Sequence, residues 1–179
     1  MYYKVINKES DIYKRLREQR EKEIAADERN EAKIEELLGF KWKSFLGRKG
    51  YQNLFRVDTY TAFIPEDGVI VSNAVRESKD KDGVYYPNRR TKAGKALDEF
   101  LRYKKETFRY DEVLEILGCE TLYGNFIIPF MEVVNDTVLI YLDNRNIPKS
   151  DDVIEITSKE FKELLKGDSK DANQRRKQG

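Results

Sequence analysis

The sequence predicts an α+β fold: a single domain over 1–167, built on an antiparallel sheet centred on a hairpin at 126–142, with helices packed on it. Three observations predict this. The runs Phe126 to Val134 and Thr137 to Leu142 are the most apolar in the chain, and Asn135-Asp136 between them tolerate the positive φ of a type I′ turn. A charge-dense stretch from about Asp11 to Leu38 reads as one long N-terminal helix. Strand-like and helix-like segments follow each other without regular βαβ alternation. Neither run of the hairpin alternates cleanly between apolar and polar residues, so both faces of its sheet need covering.

The totals bound the chemistry. With 179 residues the chain can bury a sizeable core, and a 37% charged fraction balanced to a net +1 gives no global attraction to nucleic acid or membrane. Any such binding has to come from a local patch. Histidine is absent and Cys119 is the single cysteine. That excludes His- or Cys-based zinc sites, Ser-His-Asp and Cys-His nucleophile systems, and haem on a proximal histidine. No metal and no cofactor is expected. A lone cysteine cannot form an intrachain disulfide, which suits a reducing, cytoplasmic setting. No apolar stretch follows Met1 as a signal peptide would, and Pro129 and Glu132 keep the longest apolar run well short of the ~20 residues of a membrane span.

Along the chain, Tyr2 to Ile6 is a strand candidate. Asn7 or Ser10 caps the helix 11–38, and Gly39 closes it. The ends of this helix carry apolar residues at helical spacing (Ile12, Tyr13, Leu16; Ile34, Leu37, Leu38), whereas 17–31 is nearly all charged apart from Ile24, Ala25 and Ala26. The helix is therefore expected to dock by its ends, its middle in water or against a partner. Its apolar residues do not sustain a heptad, so a coiled coil is weakly supported. Phe40 to Leu46 reads as a short helix or turn packing Trp42. Leu54 to Ile64 alternates as a strand, Val69 to Ser72 as another, and Arg76 to Asp82 as a polar loop. Asp80-Lys81-Asp82-Gly83 resembles the start of a calcium loop, but Val84 occupies the third ligand position and the glycine falls too early.

Ala93, Ala96, Leu97, Phe100 and Leu101 form a helical stripe, and Tyr110 to Leu117 a second short helix stopped by Gly118. In the hairpin, Pro129 implies an edge strand, a bulge or a late strand start. Val153 to Ile156 is a small strand. Thr157 and Glu160 then match a capping box opening a helix that Gly167 closes. Residues 168–179 lack apolar periodicity and are expected to be a disordered tail.

One stretch combines cations with aromatics. Tyr85-Tyr86-Pro87 precedes Asn88, Arg89, Arg90, Thr91, Lys92 and Lys95 at a helix start, and 88–105 holds seven Lys/Arg against two acidic residues, a net +5. A helix N-terminus offers N–H groups and partial positive charge to phosphate, arginine adds bidentate donors, and a tyrosine can stack on a base. Cations in a first helical turn oppose the macrodipole, which is unfavourable unless an anion compensates; that anion is either a ligand or one of the chain's own 33 acidic residues. Elsewhere, Glu35-Glu36 and Asp151-Asp152 read as solvent-facing. Glu132, within the most apolar strand, reads as an edge-facing or solvent-facing side chain; if buried, it needs a cationic partner such as Arg56.

The expectation is a small intracellular binding protein rather than an enzyme. Its ligand bears phosphate, a nucleotide or a nucleic acid, held by Asn88, Arg89, Arg90, Thr91, Lys92 and Lys95, with Tyr85 and Tyr86 as stacking surfaces. The alternative is a protein–protein module, an inhibitor or adaptor of the kind mobile elements encode, that binds a partner or a second copy through the charged helix 11–38.

Overall fold

The computed structural model describes residues 1–44, 62–68, 70, 72–108, 111–120 and 129–177. They form two antiparallel four-stranded sheets and four α-helices, an α+β architecture. Contacts divide the chain into two compact units, Met1–Glu23 with Phe108–Gly179, and Ile24–Thr107. The hairpin sheet belongs to the first unit. Of the second sheet the sequence anticipated only Phe63 and Ile64, at the end of the strand expected over Leu54 to Ile64; its strands are three residues long, too short for a periodicity.

In the first unit, strand β1 (Tyr2–Val5) lies between β7 (Thr137–Tyr141) and β8 (Ile154–Ile156), and β6 (Phe130–Val134) forms an edge beyond β7. The strand thus starts just after Pro129, on an edge, where its missing N–H costs no ladder bond. Register pairs Tyr3 with Ile140 and Ile140 with Met131, which places these side chains on one face. That face packs against Tyr13 and Leu16 of helix α1 (Asp11–Leu38) and Val113 and Leu114 of α3 (Asp111–Ile116). On the other face, Phe161 of α4 (Ser158–Lys177) meets the ring of Tyr2 at 4.9 Å and that of Phe130 at 6.2 Å. Both faces of the hairpin are covered, as its unbroken apolar runs require.

The turns follow the local chemistry. Asn135 (φ 47°) and Asp136 (φ 63°) both adopt the left-handed conformation of a type I′ turn. Ser10 Oγ accepts from Tyr13 N–H at 3.1 Å to open α1, and Gly39 (φ 80°) ends it. Thr157 Oγ1 caps α4 through Glu160 N–H at 3.1 Å, while the Glu160 carboxylate turns away to Lys4 at 2.6 Å instead of completing the box. Gly167 does not close α4. The helix runs on to Lys177 through the stretch expected to be a disordered tail, carried by Lys, Gln and Arg, which are good helix formers.

The hairpin turn is tied to the start of α1. Asp136 accepts from Lys8 Nζ at 2.6 Å and from Arg17 at 3.3 Å, and its carbonyl accepts from Tyr13 Oη at 2.9 Å. The Lys8 hydrogen bond, then the Lys8 and Arg17 charges, hold the Asp136 carboxyl below its ordinary value of 3.8. A carboxyl depressed in the folded state stabilises above its unfolded pKa, and that contribution fades as pH falls through the folded value. Asp136→Asn keeps a residue that tolerates positive φ but removes the charge. The variant should therefore lose less thermal stability than the parent when pH is lowered below ~4. Parallel acid limbs in thermal melts of the two proteins would refute this account.

Helix α1 differs from its expected docking by the ends. Its buried stripe is continuous, from Tyr13 and Leu16 through Glu23, Ala26 and Asn30 to Ile34 and Leu38. The middle is buried because its polar groups are paired. Arg20 reaches Glu132 through Nε at 3.0 Å and Nη2 at 2.8 Å, and Glu23 through Nη1 at 3.5 Å. Glu132 thus finds its cation in Arg20, while Arg56 lies outside the described residues. Asn30 behaves as a piece of backbone: Nδ2 donates to Glu106 O at 2.8 Å and Oδ1 accepts from Glu106 N–H at 2.9 Å. Arg29 adds a two-pronged contact with the Glu106 carboxylate, at 2.7 and 2.9 Å.

In the Ile24–Thr107 unit the sheet order is β2 (Trp42–Ser44), β3 (Phe63–Pro65), β5 (Tyr85–Pro87), β4 (Val75–Glu77). Two expectations change here. The segment holding Trp42 is a strand rather than a helix or turn, and Trp42 is fully buried edge-on against Phe63 at 4.9 Å. The polar loop loses Arg76 and Glu77 to β4, which pairs with β5. Most of the strand expected over Leu54 to Ile64, and Val69 and Val71 of the next, lie outside the described residues; Ile70 and Ser72 are not in a strand. Leu97 of α2 (Lys92–Glu99) joins Ile34, Leu38 and Trp42 in the core, with Phe100 and Leu101 from the single π-helical turn Phe100–Lys104. Ala96, counted in the stripe, is exposed.

Candidate functional site

The stretch 85–95 divides between scaffold and surface. Alternation along β5 sends Tyr85 toward the core beside Phe63 and leaves Tyr86 outward, opposite Arg76 of β4. Asn88 and Thr91 build the entry to α2. Asn88 N–H donates to Ala74 O at 2.8 Å, and Asn88 Oδ1 accepts from Arg90 N–H at 3.2 Å. Thr91 Oγ1 donates to Asn73 O at 2.8 Å and accepts from Gly94 N–H at 3.0 Å, the N-cap bond. Gly94 is buried where these segments cross: a Cβ there would collide with the Asn88 carbonyl oxygen and stand 2.9 Å from Ala74 O.

Beside this entry lies an open cleft of about 680 Å³. Arg76 comes to it from β4, Arg89 from the turn after β5, and Arg102 and Lys105 from the π-helical turn and its end. Tyr86 and Tyr103 stand among them, with Pro87 and Leu101 as apolar lining. The wide turn, closed by the bond from Lys105 N–H to Phe100 O at 2.9 Å, interrupts the α-helical spacing while Leu101, Arg102 and Tyr103 reach the cleft from consecutive positions.

Asp98 is the one acidic residue lining the cleft among the described residues. Its Oδ1 lies 3.3 Å from Arg89 Nε and accepts from Arg102 Nε at 3.2 Å. One carboxylate is thus shared between two guanidinium groups. Each engages it through Nε, and no hydrogen bond from a terminal N–H of either fork to a carboxylate is found among the described residues.

Of the residues expected from sequence, Tyr86 and Arg89 line the cleft. Tyr85 lies against the core and Asn88 and Thr91 form the turn and cap, while Arg90, Lys92 and Lys95 are exposed away from the lining. Sequence reasoning missed Arg76, Asp98, Arg102, Tyr103 and Lys105. The net +5 over 88–105 covered the last four as charge and composition, but Arg76 had no signal while it read as part of a loop. No known protein family, curated protein or solved structure matches this chain. Among the described residues no helix is long and apolar enough to cross a membrane.

Proposed function

We propose that this chain is a small non-enzymatic binding protein whose cleft takes a phosphate-bearing ligand, a nucleotide or a nucleic acid. One observation supports this above the rest: three arginines, Arg76, Arg89 and Arg102, come from three places in the chain to meet two tyrosines in a cleft whose lining has one carboxylate among the described residues. Like charges gathered this way repel one another, and an arriving polyanion relieves that repulsion. Guanidinium–phosphate hydrogen bonds are charge-assisted and match the fork geometry of arginine. A buried lone thiol, Cys119, suits the reducing cytoplasm as its setting.

A protein partner or second copy on α1 has less behind it. The outward face of that helix is charged, with Ile24 as its exposed large apolar residue. An interface there would lack the buried anchors that carry binding energy.

The test is titration of the full chain with pyrophosphate, ADP and short oligonucleotides at low ionic strength. The double variant Arg89→Ala/Arg102→Ala should bind its best ligand at least ~10-fold more weakly, with a salt slope shallower by about two phosphate contacts for an oligonucleotide. If none of these ligands binds the parent, the reading fails.

A further inference from the structure

We infer that the cleft's ligand is a single-stranded nucleic acid, its phosphates on Arg76, Arg89 and Arg102 and its bases on the rings of Tyr86 and Tyr103. This rests on the phosphate reading above and narrows it. Three features of the cleft carry the choice.

The first is the state of the two tyrosines. Tyr103 is 79% exposed and Tyr86 37%, so large aromatic rings stand in water at the edge of a basic surface. Such rings stack on any base, and stacking is the part of single-strand recognition that duplex DNA denies, because paired bases already cover each other's faces.

The second is openness. Arg89 and Arg102 keep 64% and 46% of their side-chain surface in water, and Tyr103 more still. A site for a mononucleotide encloses its ligand and covers most of its surface. A surface open on this scale would leave one nucleotide largely hydrated. It can gain affinity from modest contacts repeated along a strand, where each nucleotide brings one phosphate and one base.

The third is what Asp98 does to the arginines. Its Oδ1 meets the Nε of both arginines, and no hydrogen bond from their terminal N–H groups is found among the described residues, which leaves two forks to bind an anion. Two separate forks fit two successive phosphates better than one. The carboxylate between them keeps a single phosphate from sitting in the middle, through like-charge repulsion. Nothing in this arrangement reads base edges, so recognition should be tolerant of sequence.

The experiment compares three probes against the full chain: a labelled oligo-dT of roughly ten nucleotides, a duplex of the same length, and ADP. The single strand should bind about 10-fold or more tighter than either of the others, by anisotropy and competition, and Tyr86→Ala and Tyr103→Ala should each weaken it about 10-fold. Tyr86→Phe and Tyr103→Phe keep the ring and should keep the affinity. Thermal melts of all four variants should match the parent, since these side chains are exposed. Duplex or ADP binding as tightly as the single strand overturns the inference and leaves the phosphate reading standing. Unchanged affinity in both alanine variants overturns the stacking, and so the inference. Absence of binding by every probe removes both readings.

Discussion

Replacing Gly94 with alanine should destabilise the Ile24–Thr107 unit by ~3 kcal/mol or more, as clashes against immovable backbone do at the high end of overpacking. Helix propensity alone predicts the opposite sign, since alanine is better than glycine inside a helix by ~1 kcal/mol. The clash wins because both colliding atoms are backbone carbonyl oxygens, of Asn88 and Ala74, and neither can swing aside as a side-chain end could. Asn88 O also accepts from Thr91 N–H at 3.1 Å, and Ala74 O accepts from Asn88 N–H at 2.8 Å, so relieving the clash pulls apart the turn that caps α2. Arg89 sits in that turn, and the cleft should loosen with it. A matched control lies in α4. At Gly167 an added Cβ meets Asn135 Nδ2 at 3.6 Å, an ordinary contact, and the site has no positive φ. Gly167→Ala should therefore stabilise by a few tenths to ~1 kcal/mol. Urea denaturation of the two variants beside the parent reads both signs. A neutral or stabilising Gly94→Ala would mean that the loop 88–91 does not cross the helix as described.

Arg20→Met should cost ~3 kcal/mol, the scale for removing one partner of a buried ion pair. Arg20 spans Glu132 on β6 and the more deeply buried Glu23, whose side chain is 5% exposed. Without the guanidinium, Glu132 loses its two-pronged partner and the buried Glu23 loses one of its contacts. The loss should shrink in the triple variant Arg20→Met/Glu23→Leu/Glu132→Leu, because an apolar set of similar volume avoids desolvating charge altogether. Arg20→Lys should fall between parent and Arg20→Met, since an ammonium supplies charge but not the two-pronged contact made by Nε and Nη2. Urea denaturation of the four proteins settles the matter. A loss in the triple variant as large as that in Arg20→Met would assign the role of Arg20 to packing of the side-chain stem rather than to charge.

Much of the fold was written locally. The bounds 11–38 for the first helix are those observed, because Ser10 and Gly39 are a cap and a stop whatever surrounds them. Asn135-Asp136 forced the hairpin, Gly118 (φ 68°) ended α3, and Thr157 opened α4. The second sheet was hidden because three-residue strands carry no period and depend on partners far along the chain. The middle of α1 was misread for a related reason. Charged residues at buried positions look like solvent-facing ones until their partners, Glu132 and the Glu106 backbone, are known.

The candidate site divides in the same way. By itself the sequence determined that histidine and paired-cysteine chemistry are absent, that cations crowd 88–105, and that a helix begins within 88–95. These depend on composition and on contacts within a few residues. Tertiary structure alone decided that Arg76 pairs across from Tyr86, that Tyr85 turns inward, and that Arg102 and Tyr103 come round on a π-helical turn to the side of Arg89. Those placements depend on strand register and on helix phase where the π-helical turn shifts it. A residue more or less in the strand would send its side chains to the opposite face, and in the helix would swing them about 100° round the axis.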